Sequence, residues 1–206
     1  MNRNPVHLVT ALPAEAKPVT SHFGLKRLQP GCGFPVYRDR HISLVVSGVG
    51  KTNAAAASAL LYALNGCPAN AIWINLGIAG HRDLPLGEAV LAHSVTDAAT
   101  GETWRPPINI LLPCPSVSLE TLDQPNFDYT RRSAFDMEAS GFYAIAVRFS
   151  PPELVHCLKV VSDNREQSGR GISAAMVRRL IAGQLDLLQE LLSRLTTFAG
   201  QLTPGD

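Results

Sequence analysis

The chain has 206 residues, 46% hydrophobic and 17% charged, which is enough for one domain with a sizeable core and too apolar for a disordered chain. Lys and Arg number 18 against 17 Asp and Glu, a formal charge of +1, and no concentrated basic face suggests a nucleic-acid partner. No apolar run reaches the roughly 18 residues of a membrane span, so no membrane partner is expected. Residues 1–5 lead straight into a strand-like run with no apolar core or cleavage site, so no signal peptide is expected either, and the expected location is cytoplasmic.

In chain order, Val6–Thr10 reads as the first strand. A helix is expected to start near Pro13 to Glu15, where proline is tolerated because its missing N–H would have no intrahelical partner. Ile42–Val46 is the next strong strand. Residues 52–64 are Ala-rich and predict a helix that stops at Asn65-Gly66. Residues 71–76 give another strand running into Gly77-Ile78-Ala79-Gly80, and residues 87–92 a further one. The stretch 100–132 breaks the pattern with Pro106, Pro107, Pro113, Pro115 and Pro125. It reads as a long irregular segment around one strand near residues 108–112. Residues 142–149 form an apolar helix and residues 158–162 a later strand. Finally, Val177, Leu180, Ile181, Leu188, Leu191, Leu192 and Leu195 recur at helical spacing and predict one long helix, N-capped by Ser173. Gly183 inside it costs about 1 kcal/mol relative to Ala, which the stripe outweighs. Strands alternating with helices predict a single α/β domain over residues 1–206, with a mostly parallel or mixed central sheet flanked by helices.

Cys32, Cys67, Cys114 and Cys157 are scattered, with no Cys-x-x-Cys pair, and buried free thiols are expected. The six histidines do not cluster at metal-ligand spacing and no His-Glu-x-x-His occurs, so no metal is expected.

In open α/β sheets, ligands sit beyond the carboxyl ends of the strands, so the loops there are where chemistry belongs. Ser47-Gly48-Val49-Gly50-Lys51-Thr52 follows a strand and precedes a helix, but a P-loop would need glycine where Val45 stands. What remains is a glycine turn that admits a ligand to backbone N–H groups, or simply a tight strand-to-helix turn. Glu15 follows the first strand; alone, it also reads as an acid complementing a helix dipole. Asp136-Met137-Glu138-Ala139 precedes the apolar helix, where Asp136 also reads as a cap. Ser162-Asp163-Asn164 ends a strand and also reads as an Asx turn. Together they put acids on successive strand ends.

These loops resemble the purine/uridine phosphorylase and nucleosidase superfamily, particularly its methylthioadenosine/S-adenosylhomocysteine nucleosidase branch. The likeness runs from about Val6 to Asn164. It rests on Val9-Thr10-Ala11-Leu12-Pro13-Ala14-Glu15, on the glycine turn, on Asn75-Leu76-Gly77-Ile78-Ala79-Gly80, on Leu86-Gly87-Glu88-Ala89-Val90, and most specifically on Asp136-Met137-Glu138-Ala139 and Val161-Ser162-Asp163. The resemblance implies a nucleoside phosphorylase-like fold and cleavage of the N-glycosidic bond of a purine-type or 5′-substituted nucleoside, with no cofactor. It implies that Glu138 binds ribose hydroxyls, Met137 packs on the sugar, Asp163 protonates the leaving base and Glu15 activates water, with Gly48, Gly77, Ile78, Ala79, Gly80 and Ser162 completing the substrate site. The chemistry asks for these types: a carboxylate at the ribose stabilises an oxocarbenium-like state, and a leaving purine needs a carboxylic acid that keeps its proton at neutral pH.

The sequence departs from the family where phosphorylases bind phosphate. The first loop has no arginine, Ile78 stands where a hydroxyl residue is usual, and Arg82 lies beyond. Water is therefore favoured over phosphate, which would be the co-substrate of a phosphorylase; a nucleoside-binding protein without turnover is the other alternative. Pro113-Cys114-Pro115 occupies the segment that normally stacks on the base. The resemblance also implies a homo-oligomer. Trp104, Leu111, Leu112, Phe127 and Tyr129, apolar in a segment without evident structure, point to a homodimer that uses it.

Overall fold

The computed structural model describes residues 4–28, 33–111 and 113–202. Its centre is a parallel block in which β1 (Val6–Thr10) lies between β4 (Ile42–Val46) and β5 (Ile72–Gly80), and β5 pairs with β10 (Val155–Asp163). These strands are covered on both faces, which is why they read as nearly continuous apolar runs. On one face α1 (Pro13–His22), α4 (Ala174–Ala182) and α5 (Leu185–Ala199) bring Val19, Ile181, Leu188 and Leu191 against Leu8, Leu44, Ile74 and Leu158. On the other, α2 (Lys51–Leu64) and α3 (Ala139–Ala146) bring Ala54, Leu61 and Phe142 against Val9, Val45 and Trp73. The two helices of that second layer meet backbone to backbone: a Cβ on Gly141 would lie 1.9 Å from the Lys51 carbonyl oxygen.

Beyond β4 the sheet continues antiparallel through β3 (Val36–Arg38) and β2 (Lys26–Arg27). On the other side it closes on itself. β6 (Ala89–Asp97) runs antiparallel to β10 and parallel to β8 (Ser116–Thr121), β8 pairs with β9 (Ala134–Asp136), and β9 returns to β5 through Gly80 and Phe135. The short β7 (Thr103–Trp104) adds to β6. Closure brings the carboxyl ends of β5, β9 and β10 to one place. The mixed sheet flanked by helices is the expected α/β architecture.

Several expectations need correction. The last long helix is two, α4 and α5, broken at Gly183-Gln184, where the Gln184 side chain donates to the Gly87 carbonyl at 2.7 Å. Ile181 and Leu188 are seven residues apart, two turns of a continuous helix, so the apolar spacing carries across the break unseen. Ser173 does cap α4, accepting from the Met176 N–H. No strand occupies residues 108–111, and Leu112 lies outside the described residues; the strand of that region is β8, where only Leu119 and Thr121 are buried. β5 extends through the Gly77–Gly80 segment expected as a loop, because Gly80 has partners on both sides in Phe135 and Asp163. β6 and β10 likewise run longer than expected. Of the thiols, Cys157 is buried, Cys114 half-buried and Cys67 exposed; Cys32 lies outside the described residues. Among the described residues the apolar side chains of the Pro-rich segment are mostly absorbed: Tyr129 is buried, Trp104 packs on Tyr143, and Leu111 is the large apolar one that is exposed, at 78%. Among the described residues no helix is long and apolar enough to cross a membrane.

Two histidines sit fully buried in the central strands. His7 on β1 packs edge-on to Trp73 with ring centroids 4.3 Å apart, and neither of its nitrogens has a partner among the described residues. His156 on β10 bonds the Glu153 carbonyl through Nε2, and its Nδ1 has no partner among the described residues. Burial pulls both from 6.5 down to about 4. As pH falls through that interval the unfolded chain binds protons that the folded chain refuses, so stability is full above pH 6.5 and declines towards pH 4, by about 3 kcal/mol per histidine. Thermal unfolding at about pH 4.5 should therefore occur well below that at about pH 7, and His7→Gln, which cannot charge, should lose less over the same interval.

Candidate active site

A cavity of about 1030 Å³ opens at the carboxyl ends of the parallel strands, at the upper limit of the roughly 300–1,000 Å³ typical of small-molecule sites. It receives Glu15 from the first turn of α1, Ile78, Ala79 and Gly80 from β5, Asp136, Met137 and Glu138 from the end of β9, and Ser162 and Asp163 from β10. The sheet thus gathers residues distant in sequence into one concavity.

Glu15 is 2% exposed, and both oxygens of its carboxylate accept backbone N–H groups. Oε2 accepts the Ala11 and Leu12 N–H groups at 2.9 and 2.8 Å, and Oε1 accepts the Ile78 N–H at 3.0 Å. Burial raises its pKa; these donors and the Lys159 charge oppose the rise. Glu138 accepts the Gly50 N–H at 2.9 Å, at the start of α2. The glycine turn therefore serves as a hook for a carboxylate at a helix N-terminus. Gly50 has φ 105° and Gly48 φ 81°, conformations that exclude most other residues. Burial first, and the neighbouring Asp136 second, push Glu138 up to about 7.

Between these acids stands Lys159, 1% exposed, its Nζ 2.7 Å from Asp136 Oδ2. Burial alone would drive the ammonium down, but Asp136 and Glu138 together hold it above its ordinary value. Asp136 also accepts the Ala139 N–H with Oδ2 and the Thr121 hydroxyl with Oδ1. A Cβ on Gly77 would lie 3.0 Å from Glu15 Oε1 and 3.5 Å from Lys159 Nζ, so that glycine makes room for the charged cluster. Neither Gly48 nor Gly77 lines the cavity; Val49 does.

Asp163 owes its place to a bulge. Val161 pairs with Ala79 and Asp163 with Gly80, leaving Ser162 as the extra residue, and such bulges re-aim the side chains beside them. The Ser162 hydroxyl donates to Asp163 Oδ1 and the Tyr129 hydroxyl to Oδ2 at 2.7 Å, while Tyr129 accepts the Gly169 N–H at 2.8 Å. A Cβ on Gly169 would lie 2.8 Å from Asp163 Oδ2. Asn164, by contrast, does make an Asx turn, its Oδ1 accepting the Glu166 and Gln167 N–H groups. Phe127 and Phe135 line the cavity and Pro113-Cys114-Pro115 does not.

The sequence reading missed Lys159, Tyr129, Phe127 and Phe135. A lone lysine inside the apolar run of β10 was a readable sign of a buried charge pair; Tyr129 offered no such sign. Arg82 is not part of the cavity lining and pairs with Asp83 at 2.7 Å. Among the described residues no group of three or more His, Cys, Asp or Glu side chains is arranged to hold a metal ion.

This architecture is that of the nucleoside phosphorylase-like fold. Among solved structures that share it, the 5′-methylthioadenosine nucleosidase of Arabidopsis thaliana in apo form superposes with a TM-score of 0.74 at 18% identity, over 98% of each chain. The 5′-methylthioadenosine/S-adenosylhomocysteine nucleosidase of Colwellia psychrerythraea 34H, in complex with adenine, gives 0.77 at 15% identity over 94% of this chain and 96% of that one. The futalosine hydrolase of Helicobacter pylori gives 0.69 at 14% identity over 92% and 97%. No family model matches the sequence, and no curated protein does. At such identities the likeness is one of fold.

Removing one partner of a buried ion pair leaves an uncompensated charge, at a cost of about 3–5 kcal/mol. Lys159→Met should therefore lower the unfolding free energy by about that much in chemical denaturation, far more than the loss of an exposed lysine such as Lys26.

Proposed function

We propose that the protein is a nucleosidase that hydrolyses the N-glycosidic bond of a purine-type nucleoside, with water as nucleophile and without a cofactor. The observation that carries this reading is the convergence of Glu15, Glu138 and Asp163 from three separate strand ends on one cavity. The nucleosidases named above have the same fold, which agrees with it.

In this reading Glu138, hooked by the Gly50 N–H, accepts the ribose hydroxyls, and Met137 packs against the sugar. The C1′–N bond breaks as its electron pair moves onto the base. Asp163 supplies the proton that makes the base a neutral leaving group, and the ionised acids around the sugar stabilise the oxocarbenium-like state. A water bonds to C1′ and gives its proton to Glu15, whose Oε1 accepts only the Ile78 N–H and so retains acceptor capacity. The placement of Arg82 outside the cavity favours water over phosphate. Phe127 and Phe135 are proposed as the apolar walls of the base site.

The test is release of free base from a panel of purine nucleosides and 5′-substituted analogues, with and without inorganic phosphate. Release that requires phosphate would make the protein a phosphorylase, and binding without release would leave a nucleoside-binding protein. Asp163→Asn should lower turnover by about 10²- to 10⁴-fold, the worth of a positioned proton donor. Because burial and the neighbouring Asp136 push Glu138 up to about 7 and it acts as a carboxylate, kcat/KM should rise through that pH. Glu138→Gln should lack this limb and should penalise ribosides more than 2′-deoxy analogues, which offer one hydroxyl fewer.

A homodimer is also proposed, with exposed Leu111 and the Val49 rim of the cavity as its apolar contacts. Light scattering at micromolar concentration should give twice 22.1 kDa; the monomer mass would reject the dimer.

A further inference from the structure

Lys51 is a cation at the unfavourable end of a helix. It is the first residue of α2, directly after Gly50, whose N–H holds the Glu138 carboxylate. A helix N-terminus is the positive end of the backbone dipole, so a positive side chain is disfavoured there, and the first turn of α2 contains no acid to offset it. Lys51 is not among the residues that line the cavity. Its charge is met from outside the helix: Nζ lies 3.1 and 3.0 Å from the two carboxylate oxygens of Asp97 and 2.9 Å from Asp123 Oδ1. Both partners raise its pKa, so the ammonium stays charged.

Those partners belong to the frame of the site. Asp97 ends β6 and is buried; it also accepts the Ala99 and Thr100 N–H groups and the hydroxyl of Ser140 on α3. In register beside it lie Thr121 of β8 and then Asp136 of β9. The Thr121 hydroxyl accepts the Ser140 N–H and donates to Asp136. Lys51 thus fastens the first residue of α2 to the strand ends that lead into Glu138. The requirement is specific to this acid. Glu15 is held by three backbone donors, whereas among the described residues the Gly50 N–H is the one donor to the Glu138 carboxylate. Of the groups around Glu138, Asp136 and Glu15 oppose its charge, and Lys159 and this N–H favour it.

We propose that Lys51 is a positioning residue for Glu138: its clamp on Asp97 and Asp123 fixes the start of α2, and with it the Gly50 N–H that aims the carboxylate at the ribose hydroxyls. That the carboxylate meets ribose rests on the nucleosidase reading above; that Lys51 places it does not. A donor that drifts from a buried carboxylate withdraws support from its charged form, so a loosened clamp makes Glu138 hold its proton to higher pH. The same drift lets the side chain leave the geometry in which it accepts two hydroxyls at once.

The experiment follows the carboxyl carbon of Glu138 by NMR through neutral pH in the ligand-free protein, its signal identified by loss in Glu138→Gln. Over the same range kcat/KM is measured for adenosine and 2′-deoxyadenosine. The proteins compared are the wild type, Lys51→Met, Lys51→Arg and Asp97→Asn. In Lys51→Met the Glu138 midpoint and the rising limb of kcat/KM should move up together by about one pH unit, the worth of a weakened hydrogen bond to a charged group. The preference for the riboside should fall by about tenfold. Lys51→Arg, which can bridge both aspartates, should restore most of both. Asp97→Asn separates placement from a simple field effect. A broken clamp moves the midpoint up, as in Lys51→Met, whereas loss of a nearby negative charge acting through its field alone moves it down. Should Asp97→Asn not fold, Asp123→Asn makes the same comparison at an exposed carboxylate. An unmoved midpoint in Lys51→Met, or shifts of opposite sign in the lysine and aspartate variants, would overturn the proposal. No base release from either nucleoside, with the upward shift present in both variants, would instead reject the nucleosidase reading and leave the positioning role standing.

Discussion

A lysine ammonium shut away from water is the constraint around which the rest of the site is arranged. Lys159 is viable in the centre of β10 only because Asp136 lies 2.7 Å away and Glu15 and Glu138 lend their fields. The dependence is mutual: several carboxyl groups crowded into one cavity repel one another, and this cation is what offsets them. The surrounding backbone follows from it. A Cβ on Gly77 would crowd the Glu15 carboxylate at 3.0 Å and touch the Lys159 ammonium at 3.5 Å, so glycine leaves both groups at ease. Asp136 spends its remaining capacity on the Thr121 hydroxyl and the Ala139 N–H, tying β8 and the start of α3 to the same charge.

The acids are also held by groups that cannot move far. Three backbone N–H groups fix Glu15 and one fixes Glu138, so both side chains are positioned by secondary structure more than by other side chains. Preorganised donors of this kind stabilise charge without reorganising during a reaction. The hook on Glu138 requires α2 to begin where it does, and α2 is in turn pinned against α3 by the absence of a side chain at Gly141. A glycine remote from the cavity thereby sets where a carboxylate inside it lies.

Asp163 is held differently, by two hydroxyls and a bulge. The Tyr129 hydroxyl reaches it from the Pro-rich segment that reads as the least structured part of the chain, and the ring is buried against Phe135. That segment thus forms part of the site, and its aromatic side chains turn inward, leaving Leu111 as its exposed large apolar residue among those described.

Local chemistry in the sequence was enough to determine the strands of the parallel block, the Ala-rich α2, the Ser173 cap and the strand-end position of Glu15, Glu138 and Asp163. Apolar runs, caps and turn residues act over a few positions and leave a mark there. Four things were decided only by tertiary structure. The break between α4 and α5 falls on a spacing that keeps the helical phase. The strand at Ser116–Thr121 has little apolar pattern of its own and forms because β6 and β9 flank it. The pairing of Lys159 with Asp136 joins residues 23 positions apart, and that of Tyr129 with Asp163 joins residues 34 apart. Long-range electrostatic and hydrogen-bond partners leave no periodicity in the chain. They exist only once the sheet has closed from β10 through β6, β8 and β9 back to β5 and brought distant residues within a few ångströms.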